Sequence, residues 1–321
     1  MRLKISISDF LEAQKILHGY AFLTPLLEIP IKISQGNPLY LKAENLQPSG
    51  SFKIRGAYYA LSRLSPAKRK RGVVAYSTGN HAIAVALAAQ QLNMQAAIVM
   101  SPDAMDFKIL ATTQHGASVI IKPVEERMAY AEEFATQQKA FLLPPFDHRD
   151  VIIGQGTIGM EILQAMEPAA VFVCVGGGGL ITGIALAIKL QCPHVKIIGV
   201  EPLLKIQGTL SLQRRKLIEG EASTTIADAV RIPSLGKLTF PAMMRYVDEM
   251  INVSEEQIAE ATQLTASSSH LLVEPSGALA LAGALAYRGA IAPGKPVVCI
   301  ASGGNTTIAA LNELANRKKR Q

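Results

Sequence analysis

The sequence predicts an α/β fold of two parallel-sheet domains, and two observations carry that expectation. Short apolar runs of strand length alternate with longer runs at helical spacing, and 321 residues suffice for a large core divided between two lobes. The first element, "MRLKISISDFLEAQKIL", lacks the apolar block of a signal peptide and has the pattern of an amphipathic helix. "QPSGSFKIRGAYYAL" then crowds Ser and Gly into a turn before Ile54, Ala57, Tyr58 and Leu61 recur at helical spacing. Strand–helix pairs follow: "GVVAYS" with "HAIAVALAAQQLN", "QAAIVMS" with "AMDFKILATTQHG", and "ASVIIK" with "VEERMAYAEEFATQQ". After them come "AAVFVCV" with "LITGIALAIKL", the lone strand "VKIIGVE", and "KPVVCIAS" with "TTIAALNELANRKK". Such alternation argues for parallel sheets covered on both faces by helices. "LLPPFDHRD" (142–150) marks a boundary. The expected division is a discontinuous large domain, 1–69 and 146–321, around a small α/β domain, 70–145.

Composition excludes several classes. No apolar run reaches membrane-spanning length. The net charge of +7 is partly local, in "AKRKRG" (67–72) and the tail "NRKKRQ". Nucleic-acid binding is the sharp reading of such runs, but Trp is absent and aromatics make up only 5%, so no stacking platform accompanies the charge. Solvated helix ends are the favoured reading. Cys174, Cys192 and Cys299 are far apart. Cys174 and Cys299 lie inside strand-like runs, as buried thiols do, and a reducing cytoplasm is the expected location.

In open parallel sheets, ligands collect at the carboxyl ends of strands, where four junctions stand out. In "VFVCVGGGGLITGIALAI", a strand runs into Gly176, Gly177, Gly178 and Gly179 before a helix begins near Leu180. Glycines let backbone N–H groups turn toward a ligand, and the helix N-terminus favours an anion, so this is a phosphate cradle. It is not a dinucleotide fingerprint, because Ile181 or Thr182 stands where the third glycine belongs. Glu201, at the end of the next strand, imitates a ribose-binding acid and keeps a nicotinamide enzyme as a minor alternative. The near-Walker string "GAIAPGKP" (289–296) ends in Pro and precedes a strand, which discards it.

In "VVAYSTGNHAIAV", Ser77, Thr78, Gly79 and Asn80 follow a strand, and a helix starts at about His81. Asn80 reads as the helix cap, and the loop's free N–H groups and hydroxyls suit a small carboxylate. In "VCIASGGNTT", Ser302 could meet one polar ring atom or cap the last helix. In "VEPSGALALAGAL", Glu274 precedes Pro275 at a helix start, which suits either a cap or a catalytic neighbour. To these the opening motif adds Lys53, between Phe52 and Ile54. A lysine in apolar surroundings has a lowered pKa and a nucleophilic amine. A phosphate cradle, a group for a ring and an amine awaiting an aldehyde together describe pyridoxal phosphate, with Lys53 as its Schiff-base residue.

The sequence resembles the fold-type II pyridoxal-phosphate enzymes (tryptophan synthase β-like), specifically the threonine dehydratase and serine racemase group. The motifs are "SFKIRGA", "STGNHA", "GQGTIGMEI", "GGGGL", "TIAD", "EPSGALA" and "SGGN", in family order over about residues 24 to 305, with "LTPL" in place of the usual "RTPL". The resemblance implies two parallel-sheet α/β domains with the cofactor between them. It implies that Lys53 carries the cofactor and that Phe52 stacks near its ring. Asn80 would bond the ring's phenolic oxygen, Gly176 to Gly179 would hold the phosphate, and Ser302 would meet the pyridine nitrogen; Glu274 is counted with this set. The substrate carboxylate would be gripped by Ser77, Thr78, Gly79 and His81. A serine at the pyridine nitrogen leaves the ring a weaker electron sink, which favours β-elimination over transamination. The implied reaction is loss of water from a β-hydroxy amino acid such as L-threonine or L-serine, giving a 2-oxo acid and ammonia. Lys53 would act as general base, and the enzyme would be a homodimer.

Departures from the family pattern bear on substrate and metal. Thr78 stands where biosynthetic threonine dehydratases typically have Ala and serine racemases have a Ser that serves as second acid/base. Thr78 is therefore a catalytic candidate, and racemisation is the alternative activity. Dehydratases for 3-hydroxyaspartate or a hydroxyectoine-pathway intermediate are further alternatives. Ala229 replaces the Gly of "TIADG", where its methyl could narrow the pocket. Glu201 fits the first ligand of the family's metal site, but Gln207 stands where a metal-binding relative has Asp, so no metal is expected. The chain ends soon after "SGGNTT", so no regulatory domain is expected. Arg127 reads as a solvated helix residue or as a contact for a substrate acid group.

Overall fold

A computed structural model describes residues 3–33, 36–221 and 223–317. The elements run α1 (Ile7–Leu17), β1 (Leu26–Ile33), β2 (Asn37–Lys42), α2 (Lys53–Ser62), α3 (Pro66–Arg69), β3 (Val73–Tyr76), α4 (Asn80–Gln91), β4 (Ala96–Met100), α5 (Asp106–Gln114), β5 (Ser118–Ile121), α6 (Arg127–Gln137) and β6 (Phe141–Leu142). They continue with α7 (Arg149–Ala165), β7 (Ala170–Cys174), α8 (Gly179–Lys189), β8 (Lys196–Pro202), α9 (Gln207–Arg214), α10 (Thr239–Tyr246), β9 (Glu249–Val253), α11 (Glu255–Ser269), α12 (Pro275–Ala286), β10 (Val297–Ile300) and α13 (Ile308–Arg317). The end of the basic tail, from Lys318, lies outside the described residues.

Two sheets form. The larger has the order β1-β2-β10-β7-β8-β9 and the smaller β5-β4-β3-β6. All pairings are parallel except β1 with β2, an antiparallel pair at the edge of the larger sheet. Central strands are covered on both faces, so they read as unbroken apolar runs; every residue of β7 and β10 is buried. Edge strand β1 tolerates Pro30 beside a break in its register at Ile29/Lys32. Among the described residues no helix is long and apolar enough to cross a membrane.

Helix α2 is fixed from beneath by buried charge. Arg55 pairs with Glu44 at 2.7 Å and with Glu161 of α7 at 2.6 Å, and Lys42 of β2 reaches Glu161 at 2.6 Å. Glycines bring α7 close to its neighbours. A Cβ on Gly154 would stand 2.6 Å from the Arg55 carbonyl, and one on Gly156 2.7 Å from the Gly183 carbonyl of α8. The "GQGTIGMEI" motif is thus helix-packing chemistry, and it seats the helix that begins with Lys53.

Candidate active site

The ends of β3, β7 and β10 and the start of α2 converge. The loop before α2 is stitched to the loop after β10: the Phe52 N–H donates to the Ser302 carbonyl at 3.1 Å, and Gly304 to Gly50 at 2.9 Å. Lys53 is the first residue of α2, and its Nζ donates to the Pro145 carbonyl at 2.7 Å, 5.2 Å from the Phe52 ring centroid. Burial lowers its pKa from 10.5 to about 8, slightly opposed by Cys174. The Cys174 thiol in turn donates to the Ser302 hydroxyl at 3.4 Å, and Ser302 donates to the Ser276 carbonyl at 3.3 Å. Ser302 is therefore a buried, uncharged group facing the Lys53 side of the site, not a helix cap.

Asn80 departs from the cap expected of it. Gly79 is the N-cap of α4, and Asn80 is its first helical residue. The buried Asn80 amide donates to Glu274 and accepts from Asn305 at 2.7 Å. Glu274 occupies the N-cap position of α12, yet its carboxylate makes no cap bond. Burial, then the nearby Asp228 carboxylate, push its pKa up to about 7 against Lys108 and Asn80. Its second oxygen is buried without a partner among the described residues.

Ser77, Thr78 and Gly79 are half-buried and share one turn, with the Ser77 hydroxyl accepting from Gly79 at 3.2 Å. His81 turns away from that turn: its Nε2 meets the Leu143 carbonyl at 3.1 Å. Burial and the Lys53 charge lower its pKa to about 3, so it is neutral. Arg127 is half-buried and not a freely solvated residue; it reaches Ser101 at 3.5 Å, and its Nε is unpartnered among the described residues. Ala229 is exposed, but its N–H donates to the Ser276 hydroxyl at 3.0 Å.

Reading the sequence missed Lys108. This residue of α5 is buried and pairs with Asp228 at 2.7 Å. Burial opposes its charge, but Asp228 and Glu274 hold its pKa above the ordinary lysine value. A Cβ on Gly79 would lie 3.5 Å from the Lys108 amine, which places a cation beside the Ser77–Gly79 turn. Its only signal was a charge on the largely apolar string "AMDFKILATTQHG". Glu201 is a correction to the nicotinamide reading. It is buried and takes bonds from Lys205 at 2.7 Å, from the N–H groups of Gly208 and Thr209 at 3.0 and 2.7 Å, and from the Thr209 hydroxyl at 2.9 Å. Nothing of it faces a ribose.

The residues present fit pyridoxal phosphate. Among the described residues, no group accepts from the N–H groups of Gly176, Gly177 or Gly178. Gly178 has φ +90°, and a Cβ there would lie 2.8 Å from the Met243 sulfur, so only glycine suits. Gly179 opens α8, and a Cβ on it would lie 2.8 Å from Phe146. Unfilled donors at a helix N-terminus suit a phosphate, the orphaned Glu274 oxygen suits a polar ring substituent, and the Lys53 amine suits an aldehyde.

Comparison with known proteins agrees. The family model "Pyridoxal-phosphate dependent enzyme" matches residues 19–303. An L-threonine ammonia-lyase of Thermotoga maritima is 41% identical over 98% of this chain and 79% of its own length. An L-threo-3-hydroxyaspartate ammonia-lyase of Pseudomonas sp is 39% identical over 94% of this chain and 96% of its own. The structure of maize serine racemase superposes with a TM-score of 0.91 at 32% identity, covering 98% of each chain. With the lysine, the glycine cradle and the match along most of its length, this chain belongs to the pyridoxal-phosphate dependent enzyme family.

Proposed function

We propose that the protein is an ammonia-lyase that eliminates water from a β-hydroxy amino acid, L-threonine or L-serine, yielding a 2-oxo acid and ammonia. The observation that carries this reading is the Lys53 amine, desolvated to a pKa of about 8 at the head of α2. Lys53 would hold the cofactor, with Phe52 beside the ring, Asn80 and Glu274 at its polar edge, Ser302 at its nitrogen, and Gly176 to Gly179 around the phosphate. Bound pyridoxal phosphate supplies an aldehyde for the amine and a conjugated ring that spreads the electron pair left at Cα. The Lys53 amine, when free, would take the Cα proton. The Ser77–Gly79 turn orients the substrate carboxylate, with Lys108 alongside and Thr78 presenting a hydroxyl; His81 supports the turn from behind. The Cβ hydroxyl would leave as water, carrying away the proton taken from Cα, and the resulting enamine would hydrolyse to the 2-oxo acid and ammonia.

Arg127 favours a second reading. From the start of α6 it reaches Ser101, just beyond β4, and β4 lies beside the turn because Tyr76 pairs with Val99. Its unpartnered Nε would suit the second carboxylate of 3-hydroxyaspartate. Racemisation remains the alternative activity for the Thr78 hydroxyl. The test is the visible spectrum of the purified protein, followed by addition of L-threonine, L-serine or L-threo-3-hydroxyaspartate. A yellow band that shifts with substrate while 2-oxo acid forms supports elimination, and the fastest substrate chooses between the readings. Accumulation of D-amino acid without 2-oxo acid would replace elimination by racemisation.

The same reading includes two domains, 1–69 with 146–321 and 70–145, since all strands of the smaller sheet fall within 73–142. It includes a homodimer, supported by exposed Phe22, Leu23, Leu46 and Leu272 near Asn45 and Gln47. The three free thiols suit a reducing cytoplasm. Light scattering on the purified protein tests the dimer.

A further inference from the structure

The buried pair Lys205–Glu201 has no part in the chemistry described so far, yet it touches the glycine loop. Both side chains are almost wholly buried, at 1% and 0% exposure. Besides Glu201, the Lys205 ammonium donates to the Gly176 carbonyl at 3.2 Å. Glu201 is itself locked: the first turn of α9 gives it the Gly208 and Thr209 N–H groups and the Thr209 hydroxyl. A carboxylate at a helix N-terminus is a well-stabilised anchor. The ammonium is therefore held in place from one side and holds a loop carbonyl on the other.

That carbonyl belongs to the same planar, trans peptide as the Gly177 N–H, so the two point in opposite directions. Pulling the Gly176 oxygen toward Lys205 turns the Gly177 N–H the other way. The next peptide is treated alike. The Gly177 carbonyl accepts from the Thr239 hydroxyl at 2.7 Å and from the Gly236 N–H at 3.2 Å, which sets the Gly178 N–H. Glycine has no intrinsic preference that would fix these peptides, so the ties must do it. A cation on a carbonyl also polarises its peptide and strengthens the N–H as a donor.

We propose that Lys205 is a positioning residue for the cofactor's phosphate: anchored by Glu201, it fixes the Gly176–Gly177 peptide so that its N–H faces the anion. Thr239 does the same for the following peptide. This rests on the reading of Gly176–Gly179 as the phosphate cradle, and the test separates the two.

The test compares the affinity of the cofactor-free protein for pyridoxal phosphate with its affinity for pyridoxal, which lacks the phosphate, by absorbance titration. A merely structural role for Lys205 would change both affinities together; a phosphate-positioning role changes only their ratio. The variants are Lys205→Met and the double variant Glu201→Gln/Lys205→Met, which leaves no unpaired buried charge and so keeps the fold. The expected result is pyridoxal phosphate bound at least about tenfold more weakly by both, with pyridoxal within about twofold of the parent, as for loss of one charge-assisted hydrogen bond. An unchanged ratio in the double variant overturns the proposal. Should that variant not fold, Lys205→Met alone decides by the same ratio, and Thr239→Val, which touches no charge, tests the neighbouring tie. A parent protein that binds both ligands equally would instead overturn the phosphate-cradle reading itself.

Discussion

The Lys53 amine shows how strongly surroundings set the chemistry of one residue. An exposed lysine is protonated until about pH 10.4 and is a poor nucleophile below that. With its pKa lowered to about 8, the fraction of free Lys53 amine in the cofactor-free protein rises tenfold per pH unit up to about pH 8 and then levels. The rate of pyridoxal phosphate uptake, followed by stopped-flow absorbance, should show that midpoint; a rate still climbing through pH 10 would contradict it. Lys53→Ala should remove the visible band and turnover while leaving the far-UV circular dichroism unchanged. Glu274 carries the opposite shift, from 4.5 up to about 7. Between those values the folded state holds a proton that the unfolded state has released, so this group's contribution to stability is lost as pH rises through 7. Thermal melts of cofactor-free parent and Glu274→Gln should therefore diverge: the parent loses stability relative to the variant between pH 5 and pH 8. Parallel pH curves would mean that Glu274 is ionised throughout.

At the scale of elements, the contact between α7 and α8 is made by missing side chains. A Cβ on Gly183 would press on the Ile152 carbonyl and stand 2.6 Å from the Gly156 nitrogen, both backbone atoms that cannot swing aside. Gly183→Ala should cost at least about 2 kcal/mol in urea unfolding, the range found for overpacked cores. A change below about 0.5 kcal/mol would show that the helices part easily. The strands in this region were legible because central parallel strands are buried on both faces, which leaves an apolar run in the sequence. The β1–β2 edge pair, β6 and β9 were not, since two are partly exposed and β6 has only two residues. Lys53 and the glycine loop were legible too, because a turn and a helix start are local. The local sequence offers only a cap for Asn80, because its partners, Glu274 and Asn305, lie 194 and 225 residues away. Lys108 was lost for the same reason: only the fold brings it to Asp228.

Over the whole molecule, Lys108 and Asp228 join the two sheets across the site. Lys108 rises from α5 beside the smaller sheet, while Asp228 lies in the stretch between α9 and α10, beside the larger one. If the Ser77–Gly79 turn holds the substrate carboxylate as proposed, the pair would either latch the cleft as a unit or leave Lys108 to act alone on that carboxylate. Lys108 is nearly fully buried, whereas the Asp228 side chain is 31% exposed and can be hydrated when its partner is lost. Lys108→Met should therefore fold, with a stability loss on the order of 1 kcal/mol. The substrate KM should rise by about tenfold or more, the loss expected when a charge-assisted contact is removed. Asp228→Asn and the double variant complete the cycle. Equal rises in all three variants mean that the pair closes the site as one latch. A normal KM in Asp228→Asn assigns the effect to the Lys108 ammonium on the carboxylate. A normal KM in Lys108→Met would remove both accounts and leave the pair a structural tie between the sheets.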